Sequence, residues 1–380
     1  MISAPKEISL NGEVGSTVVV ASSKSRPRII RMIDELAGLE QGWDVLASRW
    51  GSPIDSFRWA KACAGMIAGD RLSLYMVAVG GSRPTAIAPL VRRSECGDRL
   101  ELLGVNEHFE PMDFLYESPQ ALSALTCTLV RLGLPLFLKR VVADSPVVPE
   151  LRRSCRGRAV IVCRPVSGAP WIPLDAGWAN PEQKLGPGRA SDIRRARKNA
   201  ARLGQLRFEV LSPCMPEVNH LVEEAFQVEA ASWKGRAGSA MLQDPLRGQF
   251  YRQFAAAACE RGILRMCFMR IDGRPVAMQM AAECGRRFWL LKIGYDEQFS
   301  RCSPGTLLML ETLRYAATHG LSSYEFLGTD EPWTRVWTQN IRPCVSVRIY
   351  QITGNGMMAL VADLSRIAWC KTAGRVRIRS

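Results

Sequence analysis

The stretch RRFWLLKIGY-DEQFSRC-SPGTLLMLETLRYAATHG-LSSYEFLGT, Arg286 to Thr329, reads as strand, turn, helix and strand. Its turn suits an anion. Ser303 fits an N-cap, Pro304 the first helical position, and Gly305 lets a ligand come close to the backbone. The first-turn amides of Gly305, Thr306 and Leu307 are expected to point at a phosphate, with the helix dipole behind them. Arg301 lies just upstream and adds a side-chain charge.

The order of elements around this stretch occurs twice. LRMCFMRIDGRPVAMQMA (Leu264 to Ala281) has apolar arms around Asp272-Gly273, a hairpin signature. LSLYMVAVGGSRPTAIAPL (Leu72 to Leu90) has the same shape around Gly80-Gly81, and a proline follows each turn (Pro84 and Pro275). A helical segment precedes each hairpin, from Ser56 and from Arg247. After each hairpin comes another strand, Asp98 to Val105 or RRFWLLKIGY, then a helix opened by Ser-Pro at Ser118 or Ser303, then an apolar strand. This predicts an α/β fold of two related domains, each a mostly antiparallel mixed sheet flanked by helices. The expected divisions are a disordered leader over 1–28, a first domain over 29–168, a second over 169–365 and a basic tail over 366–380. The joint is placed near Val166 to Asp175. The first copy has Gln120 where the second has Gly305, and acids in its loop (Glu107, Glu110, Asp113, Glu117). Negative charge repels a pyrophosphate, so the second copy is the expected cofactor site and the first its structural partner.

Length and composition agree with two ordinary domains. The chain has 380 residues, 47% of them hydrophobic and 23% charged, enough to bury a sizeable core. A net charge of +14 (50 basic, 36 acidic) favours anionic partners: a phosphorylated cofactor, nucleic acid, acidic glycan or an anionic membrane face. Part of that excess is at the end, in Lys371, Arg375, Arg377 and Arg379. Another part is in RASDIRRARKNAAR (Arg189 to Arg202), read as a solvated structural helix, with a polyanion contact as the alternative. Twelve cysteines lack any CxxC pair, and the three histidines (His108, His220, His319) are far apart in sequence. Reduced thiols are expected and a metal site is not. No apolar stretch approaches the roughly twenty residues of a membrane helix. The first thirty residues lack a signal-peptide core, so a cytoplasmic protein is expected.

The order resembles the GNAT acyltransferase fold. Among its branches it is most similar to the double-domain, cellulose-biosynthesis-associated acetyltransferases, themselves similar to Fem-type aminoacyl transferases. The matching words are AASWKGR (Ala230 to Arg236), LRMCFMRIDGRPVAMQM, KIGYDEQFSRCSPGTLL (Lys292 to Leu308) and YEFLGTDEPWTRVW (Tyr324 to Trp337), with looser matches in GWDVLASRW, APLV and EPMDFLY. General GNAT loops follow their Gln or Arg with two spaced small residues. Here Pro304-Gly305 replaces that spacing. Glu325 and Arg335 stand where the branch often has aspartate and lysine, and arginine cannot supply a lysine's proton chemistry.

The resemblance implies acetyl-CoA or another acyl-CoA as co-substrate, with no metal. Its thioester would lie on Leu291, Lys292 and Ile293, where a backbone amide meets the oxyanion. Its phosphates would lie on Arg301, Cys302, Ser303, Pro304, Gly305, Thr306 and Leu307. Tyr295, Asp296 and Glu283 are the expected proton-handling groups. Asp296 reads equally as a turn cap, and Glu283 as an ion-pair partner of Arg286 or Arg287. Trp233, Glu325, Trp333, Arg335 and Trp337 are the candidate acceptor contacts; core packing is the default reading of Trp333 and Trp337, and a structural ion pair is an equal reading of Glu325. Glu325 needs a cationic partner, Arg335 or Lys292, and Trp333 and Trp337 would share a helix face. The implied reaction is acyl transfer to a small or sugar-linked amine or hydroxyl. The alternatives are a tRNA-dependent Fem-type transfer, without the long helical arm common there, and a non-catalytic scaffold of polysaccharide assembly.

Overall fold

The computed structural model describes residues 26–67, 71–81, 83–94, 98–238 and 240–377, with 367–377 described as backbone alone. The expected leader lies almost wholly outside the described residues. The expected tail is helical backbone as far as Arg377, within a helix that begins at Gly354.

Fifteen strands occur among the described residues. The first half supplies β1 (Arg28–Ile30), β2 (Leu72–Leu74), β3 (Met76–Val79), β4 (Ala86–Ala88), β5 (Leu90–Arg93), β6 (Arg99–Leu102), β7 (Leu115–Tyr116) and β8 (Leu136–Val142). A long strand, β9 (Ala159–Pro173), leads into β10 (Leu206–Leu211), β11 (Leu264–Ile271), β12 (Arg274–Cys284), β13 (Arg287–Tyr295), β14 (Ser323–Glu325) and β15 (Ile341–Gln351).

Both hairpins form at the expected turns. β11 and β12 close at Ile271↔Arg274, with Asp272 and Gly273 both at positive φ, as a two-residue primed turn requires. β3 and β4 close around Gly80 and Gly81, which are also at positive φ. The crossovers repeat as well. The Pro119–Arg131 helix carries the chain from β6 to a parallel partner, β8, and the Pro304–Thr318 helix carries it from β13 to a parallel partner, β14.

The two halves share one sheet. Its eleven strands run β10-β11-β12-β13-β14-β9-β15-β8-β6-β5-β2, and β1-β3-β4-β7 form a smaller one. β9 runs through the place chosen as the joint. Its first part pairs with β15, and its end pairs with β14 at Trp171↔Glu325 and Pro173↔Ser323. β15, the last strand among the described residues, inserts between β9 and the first half's β8.

One core is continuous from the first half to a face of β11–β13 covered by the Met215–Ala230 and Pro245–Glu260 helices. Trp59, Phe250 and Phe254 meet edge to face within it, at centroid distances of 4.8 and 5.1 Å. A second core lies on the opposite face, under the Pro304–Thr318 and Pro187–Ala201 helices.

The halves also meet at two glycines. Gly285 has φ +60°, and a Cβ there would lie 2.4 Å from the Gly51 carbonyl oxygen. Gly273 is likewise at positive φ, but a Cβ there would meet nothing within 4 Å. Gly273→Ala is expected to cost about 1–2 kcal/mol, from left-handed backbone alone. Gly285→Ala adds overpacking of about 1–3 kcal/mol beyond that. Urea unfolding of both variants checks the ordering.

Candidate active site

β13 pairs with β14 for three residues only, ending at Trp289↔Glu325, and then runs on from Leu290 to Tyr295 while the other chain departs. Leu327 and Gly328, both at positive φ, turn that chain away. The first half holds it there. Buried Glu110 accepts from the Gly328 amide at 2.9 Å, and Arg140 donates to the Gly328 and Phe109 carbonyls. The result is a V between two strands, with a length of β13 edge that β14 does not pair.

A bulge sets what faces this V. β12 pairs Ala281 with Leu290 and Met280 with Lys292, so Leu291 is an extra residue. The alternation therefore slips by one. Leu291 packs in the continuous core, and Lys292 projects to that same face, where it meets the Tyr251 ring at 5.0 Å and Glu229 at 3.9 Å. Buried Glu229 also takes Lys234 at 3.0 Å and the Met241 amide at 2.9 Å, and Lys234 donates to the Ile293 carbonyl at 2.9 Å.

This cluster lies where the halves meet, and its groups are electrostatically unusual. Burial, with Lys234 next, pushes the Lys292 ammonium down to about 8. Burial pushes the Glu110 carboxyl up to about 7 against its Gly328 bond and Arg140. Burial, with Lys292 and Arg247, pushes His108 down to about 3, so its imidazole is neutral, and both ring nitrogens are buried without a partner. The AASWKGR motif builds one wall. Ser232 caps a short turn, and a Cβ at Gly235 would collide with the Ala230 carbonyl, which brings Lys234 close to Glu229.

The donor turn is present but differs in detail from the expectation. Ser303 sits at the N-cap position in left-handed conformation, with no side-chain cap. Its carbonyl accepts from the Thr306 and Leu307 amides at 3.0 and 3.1 Å, so those two do not face outward as expected. The Gly305 amide is not drawn into that pair. A Cβ at Gly305 would meet Tyr295 at ordinary contact distance, 3.5 Å, so the approach is open. In the first copy Ser118 caps its own helix through the Ala121 amide. Arg301 and Ser303 are exposed, whereas Cys302, Pro304 and Leu307 turn their side chains inward. Exposed Arg194, Arg195 and Lys198 stand on the neighbouring Pro187–Ala201 helix, whose Asn199 bonds the Arg301 carbonyl.

Several expected side chains have other partners. Asp296 accepts from the Gln298 amide and from Arg274 at 2.6 Å, so it caps the turn rather than standing free as a base. Glu283 is at the other end of β12, opposite Phe288 and roughly 20 Å along the sheet from Tyr295. There it accepts from Arg265 and Tyr315, not from Arg286 or Arg287. Glu325 is paired with Arg342, at 2.7 and 3.0 Å, and not with Arg335 or Lys292. Arg335 instead forks onto Asp330. Trp333 and Trp337 flank a single turn, Thr334–Val336, so they share no helix face. Trp337 is buried in the second core. Trp233 and Trp333 are exposed (54% and 36%), the first next to Lys234 in sequence and the second edge-on to Phe326. Sequence reasoning missed Glu110, Arg140, Glu229, Lys234 and Tyr251 as one group. Of the loop acids, Glu110 is enclosed and bonded, Glu107 and Asp113 are half-buried, and Glu117 is exposed.

Residues 188–335 match the model of the acetyltransferase (GNAT) domain family. Over those residues the chain is similar to acetyltransferase domains, a kind of domain that uses acyl-CoA. No curated protein matches the sequence. Three solved structures share the fold over nearly their whole length. One is the C-terminal DUF2156 domain of a protein provisionally assigned as a lysylphosphatidylglycerol synthetase from Agrobacterium fabrum. It is 11% identical with a TM-score of 0.54, covering 87% of this chain and 95% of that one. FemX is 11% identical with a TM-score of 0.52, covering 89% and 100%. A conserved protein of unknown function from Bacteroides thetaiotaomicron is 9% identical with a TM-score of 0.52, covering 85% and 99%. No group of His, Cys, Asp or Glu among the described residues could hold a metal, and the described cysteines are free.

Glu110→Ala strips the Gly328 amide of its acceptor and is expected to lower stability by about 1–3 kcal/mol. Glu110→Gln keeps an acceptor and should lose clearly less. Urea unfolding checks both; unchanged stability in Glu110→Ala would contradict the clamp.

Proposed function

We propose that the chain transfers an acyl group, acetyl first among candidates, from acyl-CoA to an amine or hydroxyl on a small or sugar-linked acceptor. The observation that carries this is the V between β13 and the departing Phe326–Gly328 chain, with the Gly305 turn at one end and Lys292 on its wall. The donor's diphosphate lies at the Gly305 turn, beside Arg301. Its carbonyl lies against the bulged backbone of β13, whose amides meet the oxyanion. The acceptor enters where the two halves meet, and exposed Trp233 and Trp333 offer flat apolar faces to a sugar. That chemistry is the support for an acceptor from polysaccharide or envelope biosynthesis.

Lys292 is the group that handles the proton. Its amine, neutral in a substantial fraction near pH 8, accepts the proton that the nucleophile loses as its N–C or O–C bond forms. The C–S bond then breaks, and the same proton passes to the departing thiolate. Lys234 raises the local positive potential, which favours this neutral form, and Glu229 holds both lysines in place.

A second reading has its own observation. The exposed basic face of the Pro187–Ala201 helix borders the donor turn. This supports an aminoacyl-tRNA donor, whose phosphates would extend along it. An assay supplying charged tRNA in place of acyl-CoA separates the two.

Acetyl-CoA titrated calorimetrically into the chain should bind at one site, with affinity at least ~10-fold weaker in Gly305→Glu, where a carboxylate meets the diphosphate. The rate should rise with pH and level off above about 8 as the ammonium loses its proton. Lys292→Met should lower kcat by roughly 100-fold or more and remove that limb. Stopped-flow or steady-state profiles from pH 6 to pH 10 would show it (about four units bracket the titration).

A further inference from the structure

The C-terminal helix carries an outward apolar stripe. Met357, Met358, Val361 and Leu364 are exposed between 40% and 66%, while Gly356 and Ala359 turn inward. A Cβ at Gly356 would lie 2.0 Å from the Gln351 carbonyl, so the helix lies close against β15. Asp363 fixes it there by accepting from Arg348 and Tyr350 of β15.

That anchoring also identifies which face of β9 lies beside the helix. Cross-strand partners share a face, and the register is Val160↔Tyr350, Val162↔Arg348 and Arg164↔Ser346. Val160 and Arg164 are therefore on the helix side of the sheet, and both are exposed. Ile352, also exposed, bonds the backbone of Arg158. Exposed Val160 and Ile352 thus add to the stripe on this side of the sheet, and exposed Arg158, Arg164 and Arg366 lie on the same segments of chain. The sequence continues from Arg366 with Lys371, Arg375, Arg377 and Arg379 and no acid.

We infer that this surface docks on an anionic lipid bilayer, with the helix lying in the interface plane. The apolar stripe enters the acyl boundary and the arginines meet the lipid phosphates. Among the described residues no helix is long and apolar enough to cross a membrane, so the contact is peripheral. Charge decides among occupants. A second copy would set one basic rim against another. A nucleic acid would leave Met358, Val361 and Leu364 against phosphate with nothing to bury them.

The test mixes the full chain with sedimentable vesicles of phosphatidylcholine, alone or with about one-third phosphatidylglycerol. Binding to the anionic vesicles should exceed binding to the neutral ones at least ~10-fold and fall several-fold on raising salt to about 0.5 M. Met358→Glu combined with Val361→Glu should lower binding at least ~10-fold. Both side chains are mostly exposed, so Tm should not move, and a concurrent loss of fold would show in circular dichroism. Arg164→Glu with Arg366→Glu gives an independent measure and should lessen the preference for anionic lipid. No vesicle binding, equal binding to both compositions, or binding indifferent to both double variants would overturn the inference. A concentration-dependent dimer abolished by Met358→Glu and Val361→Glu, with no lipid binding, would assign the surface to a second copy instead.

Discussion

The open V depends on one buried contact between the halves, the hold of Glu110 and Arg140 on Gly328. A parallel strand gains backbone hydrogen bonds by staying beside its partner, and buried amides without partners are costly. Leu327 and Gly328, at positive φ, and the Phe326 amide bonded to the Pro170 carbonyl also lead the chain after Glu325 away from β13. Glu110 supplies an acceptor to the departing backbone and Arg140 supplies donors. The strand therefore leaves β13 with its polar groups satisfied. The first half gives geometry to a cleft whose donor turn belongs wholly to the second.

The two Ser-Pro openings show how far similar words can diverge. Ser118 closes its helix with its own hydroxyl, an ordinary cap. Ser303 takes left-handed backbone and closes its helix with its carbonyl, so its hydroxyl does not occupy the mouth. The bulge at Leu291 is a comparably small device. One inserted residue places Lys292 on the face of Glu229 and Tyr251, where burial and neighbouring cations loosen its proton.

Local signals in the sequence were legible because local physics fixes them. Asp272-Gly273 and Gly80-Gly81 specify tight turns, Ser-Pro specifies a helix start, and apolar arms specify strands. The internal repeat followed from that order, and with it two matching crossovers. The tertiary partners were not legible. Asp296 sits near Arg274 only because a hairpin folds back, and Glu325 finds Arg342 across β9 rather than its neighbour Arg335 in sequence. Glu110, Glu229, Lys234 and Lys292 are spread over the whole chain, and no spacing rule joins residues that meet through two halves. Glu110 read as one more loop acid that repels a pyrophosphate, because nothing in its spacing reveals enclosure.

The placement of β15 has a consequence for synthesis. This strand is made after nearly everything else, yet it lies between β8 and β9 in the middle of the large sheet. Until Gln351 has emerged from the ribosome, both neighbours present open edges to solvent. Pairing so distant in sequence is slow, and exposed edges are where chains stick to one another. A chain cut short before Ile341 lacks the strand that joins β8 to β9, and both would keep an unpaired edge of the kind that favours aggregation.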